Sequence, residues 1–291
     1  MKYTPAALGM ILAGVSYLFF TIFDSFTKLA AKNISVPEIM AVELLSAALF
    51  LAGVAWVEDR KNFRRDMQFH KKGLHLLRGV LNAISNTFFF FGFTHMQLAE
   101  YYVILFLIPI WVALMSGWML REKPSLQLIL SVLVSFAGVL VAMRPGQGMS
   151  PLAVLVLCGT FTNATALIVL RKMTKTETTK AMSVSVCFVM GMWSLILTPF
   201  MFKIPGLQDV LYMVAGGLCF GVAQRFLIKG TALAPVALAG AAQFLQLVYG
   251  AAIGYMVFGD VPSVWIYAGG MVVVAANLYL LWTQNREVKP A

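Results

Sequence analysis

Ten long apolar runs constrain this chain more than any other feature. They lie near residues 6–30, 37–57, 73–94, 98–120, 126–144, 151–171, 181–202, 207–229, 235–258 and 263–283. A helix needs roughly 20 mostly apolar residues to cross a bilayer. Inside hydrocarbon every backbone N–H and C=O must find a partner within the protein, so a continuous apolar run of that length reads as a helix. Composition points the same way. Of 291 residues, 60% are hydrophobic and 12% charged, against about 25% charged in soluble domains, and mean hydropathy is +0.83. The expected fold class is an all-α integral membrane protein with ten transmembrane helices. The connectors are short and leave no room for a soluble domain; the longest is the charged VEDRKNFRRDMQFHKK at 57–72. The first run carries Asp24 and Lys28 and exceeds the 7–15 apolar residues of a signal peptide, so it is expected to be a retained span.

The net charge of +10 is read here as a topology signal. Ten spans put both termini on one side. That side collects sixteen of the 22 Lys and Arg residues, the other side four, and Arg78 and Arg225 fall within spans. Lysine and arginine accumulate on the cytoplasmic side, so both termini are expected there, in the cytoplasmic (inner) membrane. Nucleic acid is not an expected partner; the lipid bilayer is. The three cysteines form no CxxC and the three histidines no HExxH, so no metal, cofactor or disulfide framework is expected.

A repeat divides the chain. QLAEYYVILFLIPIWVALMSGWMLREKPS (97–125) aligns without a gap on PVALAGAAQFLQLVYGAAIGYMVFGDVPS (235–263), an offset of 138. Phe106 meets Phe244, Glu122 meets Asp260, and Pro124-Ser125 meets Pro262-Ser263. These segments are spans four and nine, so the unit is five helices, 1–145 and 146–291. An odd unit turns its second copy upside down in the membrane, a plan common among secondary transporters, whose substrate sites lie near the midplane between halves.

With this layout, the span-four pattern AEYYVILFLIPIWVALMSGWMLREK and the span-five ending GVLVAMRPG, the chain resembles the ten-span EamA-domain carriers of the drug/metabolite transporter superfamily. It looks most like bacterial metabolite carriers, such as those proposed for S-adenosylmethionine or riboflavin uptake. Pro109 and Glu122 stand where family members typically carry a proline in span four and an acidic residue just after it. Leu247 departs from a frequent proline in span nine, and Glu43 departs from a frequent arginine in span two, which inverts a charge. The resemblance implies two inverted five-helix EamA-like repeats and transport of a small molecule.

A charge at the bilayer centre costs about 2.5–3.5 kcal/mol on insertion scales, so intramembrane polar residues are functional candidates. Arg78, Asn82 and Asn86 lie at i, i+4 and i+8 and share one helix face. That stripe reads as a cavity wall, or, for Arg78, as snorkelling to the headgroups. Gln224 and Arg225 in span eight, Gln243, Gln246 and Tyr249 in span nine, and Trp111 in span four complete the candidate substrate-binding set. A guanidinium suits a carboxylate or phosphate, and Trp111 and Tyr249 suit a planar or cationic group. Asp24 and Glu43 are the candidate proton or ion sites, because burial makes protonation of a carboxylate accessible; an Asp24–Lys28 ion pair within span one is the plainer alternative. Tyr101 is expected in the interfacial aromatic belt, and Phe88 to Phe91 against lipid and packing neighbours.

These features fit a secondary transporter of a small polar or amphipathic metabolite, with mixed internal charges suiting a zwitterion. A channel or facilitative pore is the alternative, although no filter-like loop or charge ring is present. An enzyme is not expected, since the spans offer no nucleophile–base pair and no metal cluster. The oligomer is expected to be a monomer or homodimer.

Overall fold

In the computed structural model, residues 5–108, 110–112, 114–115, 126–143, 151–174, 176–233 and 242–287 are described. Among them the chain is helical and contains no strand. The principal helices are α1 (Pro5–Ala30), α2 (Val36–Glu58), α3 (Lys72–His95), α4 (Leu98–Leu105), α5 (Leu126–Met143), α6 (Leu152–Met173), α7 (Thr179–Leu197), α8 (Leu207–Leu233), α9 (Leu245–Ile253) and α10 (Val264–Glu287). Six of these contain stretches long and apolar enough to cross a membrane: Leu8–Ala30, Val36–Glu58, Lys72–His95, Leu152–Leu170, Leu207–Leu233 and Thr179–Phe200, the last running through a 3-10 turn at Thr198–Phe200. The chain is thus a multi-pass membrane protein. Four shorter apolar helices, Tyr101–Val112, Ile129–Ala142, Leu245–Phe258 and Val264–Ala276, fall at the expected spans four, five, nine and ten. Pro109, Glu122, the 145/146 boundary and residues 235–241 of the 235–263 arm of the repeat lie outside the described residues.

Local chemistry sets several helix ends. Pro37 follows the extended Ser35 and opens α2, since its fixed φ suits a first helical turn. Thr178 caps α7 by accepting a hydrogen bond from the Ala181 N–H at 3.1 Å. Hydroxyls within the spans turn back on their own helices: Ser25 donates to the Thr21 carbonyl at 2.8 Å and Thr87 to Ala83 at 2.8 Å. This satisfies a polar group where no water is available. After α9 a π-helical turn, Gly254–Phe258, ends at Gly259, whose φ of 69° is left-handed. Glycine takes that conformation without a Cβ penalty, and the turn carries Asp260 back towards the bundle.

The main packing pairs are α1 with α8, α3 with α6, α2 with α7, and α5 with α10. Next come α2 with α8, α3 with α7, α1 with α9, α4 with α6, and α4 with α9. Close approach needs small residues. A Cβ on Gly138 of α5 would fall 2.9 Å from the Gly269 carbonyl of α10. On α8, a Cβ on Gly217 would overlap the Ser46 hydroxyl and the Glu43 carbonyl of α2. The core is aromatic: Phe90, Phe93, Tyr102 and Phe106 are almost fully buried, and Phe89 and Phe93 meet Tyr101 edge-on. Tyr101 is only 2% exposed, so it belongs to this core and not to an interfacial belt. Phe89 and Phe90 are likewise buried, so the lipid-facing share of the Phe88–Phe91 block is smaller than its composition implies.

Candidate functional site

Helix ends group the polar residues into two layers. One end of the bundle, the basic end, carries the 59–71 connector and the start of α7. The opposite end carries the 31–35 turn and Asp260.

Towards the opposite end, two carboxylates are buried. Asp24 of α1 is 6% exposed and accepts a hydrogen bond from the Tyr102 hydroxyl of α4 at 2.7 Å. Glu43 of α2 is 0% exposed, and its two oxygens lie 2.8 and 3.0 Å from the Thr27 hydroxyl of α1. Thr27 lies three residues from Asp24 on α1, one helical turn away, so its bond to Glu43 brings the two carboxyl groups to the same stretch of that helix. Glycines make the room. Gly216 of α8 faces the Glu43 carboxylate, where an added Cβ would come within 2.5 Å, and Gly250 of α9 faces the Tyr102 ring. Lys28 does not pair with Asp24. It reaches Asp260 at 3.1 Å and the Met96 carbonyl at 3.2 Å, and lies 4.6 Å from the centre of the Phe258 ring. The π turn and Gly259 put Asp260 within reach, a long-range contact that overrides the i, i+4 spacing.

At the basic end, Arg78 of α3 is 4% exposed and donates to the Met182 carbonyl of α7 at 2.9 Å. Of the two readings of Arg78, cavity wall or snorkelling, this burial against α7 favours the interior. Arg225 of α8 is ion-paired with Glu58 at the end of α2. The Lys180 ammonium sits 2.8 Å from Asp66. Glu177, in the turn before α7, accepts the backbone N–H of Lys71 at 2.8 Å and of His70 at 3.2 Å, with His75 Nε2 at 3.2 Å. Burial of Glu177 works against its charge, but the His75 side chain and these two N–H groups outweigh it and hold its carboxyl below the usual range. His75 Nδ1 in turn meets the Ser185 hydroxyl at 2.6 Å.

The remaining candidates are spread between these layers. Asn82 and Asn86 are half-buried; Asn82 donates to the Arg78 carbonyl at 2.8 Å, and the Asn86 amide lies 3.9 Å from the Met190 sulfur. The Trp111 indole N–H donates to the Thr160 hydroxyl of α6 at 3.1 Å, and its ring meets Phe161 edge-on. Gln243 is buried and donates to the Leu105 carbonyl at 3.3 Å. Gln246 is buried, Tyr249 is half-buried, and Gln224 is 8% exposed with its amide oxygen unpaired. Asp24 and Glu43 are therefore brought into one cluster, whereas Arg78 and Arg225 are held at the other end by protein partners. Tyr102, Thr27 and Glu177 were not singled out in the sequence. Tyr102 could have been found from its tandem with Tyr101 in an apolar run; Thr27 and Glu177 give no pattern of their own.

Residues 7–144 match the EamA-like transporter family. The chain is 23% identical to the riboflavin transporter of Vibrio cholerae over 99% of this chain and 97% of that one. It is also 23% identical to the pseudopaline exporter of Pseudomonas aeruginosa, over 95% and 97%. The S-adenosylmethionine uptake transporter of Rickettsia prowazekii is 21% identical over 74% of each chain. One crystal structure shares the fold, with a TM-score of 0.70 at 16% identity over 97% of this chain and 99% of that one. Residues 7–144 thus carry an EamA-like transporter domain, and the chain is similar along most of its length to bacterial metabolite carriers, which makes it a transporter and not an enzyme.

Proposed function

We propose that the chain is a secondary active carrier of a small amphipathic or zwitterionic metabolite, working by alternating access between halves 1–145 and 146–291, with proton coupling at Asp24 and Glu43. The observation that carries this reading is the pair of carboxylates buried together among apolar helices. An intramembrane carboxylate is costly, and transporters use such groups as proton relays.

The inverted repeat is supported by packing as well as sequence. Shifting each helix number by five turns α1–α8 into α6–α3, α2–α8 into α7–α3, and α1–α9 into α6–α4, and all six pairs pack. Gln243 donates to Leu105, the residue 138 positions earlier and its own counterpart in the aligned repeats. A residue that touches its repeat mate lies near the axis relating the halves.

The basic end is taken as cytoplasmic, from its excess of Lys and Arg. There Glu58–Arg225, Asp66–Lys180 and Glu177–His75 each join the first half to the second; opening to the cytoplasm requires these contacts to part. Asn82, Asn86, Trp111, Gln224, Gln243, Gln246 and Tyr249 supply the amide and aromatic groups that would hold the substrate. Arg78 and Arg225 would act where the path closes. The relatives' substrates, riboflavin, pseudopaline and S-adenosylmethionine, bound the class to small metabolites, and both uptake and export occur among them. The test is uptake into proteoliposomes under an imposed pH gradient. Wild type should accumulate its ligand, and Asp24→Asn with Glu43→Gln should lose accumulation but keep ligand exchange. Unchanged accumulation in that variant would sink the coupling assignment.

A further inference from the structure

Lys28 has two carboxylates within reach of its helix position and holds the one farther away in the chain. Its ammonium lies 3.1 Å from Asp260, 3.2 Å from the Met96 carbonyl and 4.6 Å from the centre of the Phe258 ring. Asp24 stands one helical turn earlier on α1 and accepts from Tyr102 at 2.7 Å instead. Helix geometry alone favours the other pairing. Side chains lean towards the helix N-terminus, so a lysine can extend back over the turn before it. An acid four residues ahead of a base is also the better order for a helical ion pair. Asp260, delivered by the π turn Gly254–Phe258 and the left-handed Gly259, draws Lys28 away. Such π turns occur frequently at functional sites.

The two carboxylates belong to different halves. Asp24, Lys28 and Met96 lie in the first, and Asp260 follows α9 in the second. At the opposite end the halves are also joined by Asn33 donating to Asp209 at 3.1 Å and by the Lys203 N–H donating to Glu38 at 3.1 Å. Of these three contacts only Lys28–Asp260 pairs two charged side chains. The titratable groups around Asp24 are Tyr102 of α4, with the Tyr101 ring 5.1 Å from it, and Glu43 of α2, held through Thr27. None of them is cationic. If Asp260 moves off with α9, Lys28 and Asp24 are left one turn apart on α1. We propose that Lys28 is an exchanging latch, held by Asp260 when the opposite end is closed and by Asp24 when it is open, so that a proton arriving at Asp24 releases Lys28 and favours closure. This rests on alternating access and on Asp24 as a proton site. The lysine changes partner but not charge. Tyr102 donates to one Asp24 oxygen and leaves the other for the proton. The exchange avoids an uncompensated carboxylate among apolar helices, which is costly.

The test reads the spacing of the halves at the opposite end by pulsed electron paramagnetic resonance. Spin labels are placed at His95→Cys, the end of α3, and Val264→Cys, the start of α10, in reconstituted full-length protein whose three native cysteines are replaced. Both positions are exposed, and replacing His95 removes an imidazole that would titrate in the same range. The short, closed distance should be about twofold or more better populated at mildly acid than at mildly alkaline pH. That sign distinguishes the exchange from an ordinary ion pair, which loosens as its carboxylate takes up a proton. Asp24→Asn should stay closed at both pH values, and Asp260→Asn should deplete the closed distance. Lys28→Gln should lose the pH response, Lys28→Arg should keep it, and Glu43→Gln should keep it. A response that survives Lys28→Gln or Asp24→Asn, that vanishes in Glu43→Gln, or that is absent from wild type would overturn the exchange. The readout needs no substrate, so such a failure leaves proton coupling to stand or fall by accumulation in proteoliposomes. One fixed distance in every variant, Asp260→Asn included, would count against alternating access as well.

Discussion

Tyr102 donates its hydroxyl to Asp24 at 2.7 Å, both side chains being buried. The bond ties α4 to α1 inside the first half, and Gly250 of the second half lies against the same ring. A movement of α9 against α4 would therefore be felt at a candidate proton site. Tyr102→Phe removes the donor and leaves a buried carboxyl oxygen unmatched. It should cost about 1–3 kcal/mol and weaken transport without loss of membrane insertion. Thermal melting of the purified variant, followed by proteoliposome uptake, checks both.

Gly217 sets the spacing of α2 and α8. An added Cβ would overlap the Ser46 hydroxyl and the Glu43 backbone carbonyl, and the carbonyl cannot withdraw cheaply. Gly217→Ala is expected to destabilise by about 1–3 kcal/mol through overpacking. Gly53, on α2, has nothing within 4 Å of an added Cβ, so Gly53→Ala should be neutral or stabilising by about 0.5–1 kcal/mol, the helix-propensity gain. Melting curves of the two variants should move in opposite directions or differ clearly in size.

Gly259 carries the chain from the π turn to Asp260 at φ 69°. Gly259→Ala should cost about 1–2 kcal/mol, the left-handed penalty of an ordinary residue, and should loosen the Lys28–Asp260 pair. Melting temperatures of Gly259→Ala, Lys28→Gln and the double variant form a cycle. Smaller than additive losses are expected if the turn acts by delivering Asp260.

Glu177 titrates below the usual carboxylate range because His75 and the backbone N–H groups of Lys71 and His70 favour its charged form over the opposing effect of burial. A depressed folded value means stability that is present above the unfolded value of about 4.3 and is lost as pH falls through the folded value. Wild type should therefore lose melting temperature on acidification below that point. Glu177→Gln should be less stable at neutral pH and show a flatter acid limb. Melting scans across the acid range read the two slopes.

Much of the frame was legible in the sequence, for physical reasons. Lipid forbids unpaired backbone, so long apolar runs had to be helices, and the family pattern followed from spans four and five. Asp24 and Glu43 were visible because a short carboxylate in an apolar run has few ordinary explanations. Their partners were not. Tyr102 and Thr27 are commonplace residues whose roles depend on which helices meet, and periodicity carries no such information. Lys28 misled for the same reason: its i−4 neighbour is Asp24, yet a π turn 230 residues later supplies Asp260. Arg78 and Arg225 are conspicuous as charges, but only the fold reveals that Met182 and Glu58 already occupy them.

The internal pH of proteoliposomes during transport tests the central claim most directly. The ligand is the one giving the largest rise in melting temperature in a screen of flavins, sulfonium compounds, amino acids and nucleosides. Adding it to wild-type vesicles should produce a change in internal pH that follows ligand movement, while Asp24→Asn/Glu43→Gln vesicles exchange the ligand with no pH change. An equal pH change in both, or ligand uptake by wild type with none, would contradict the account.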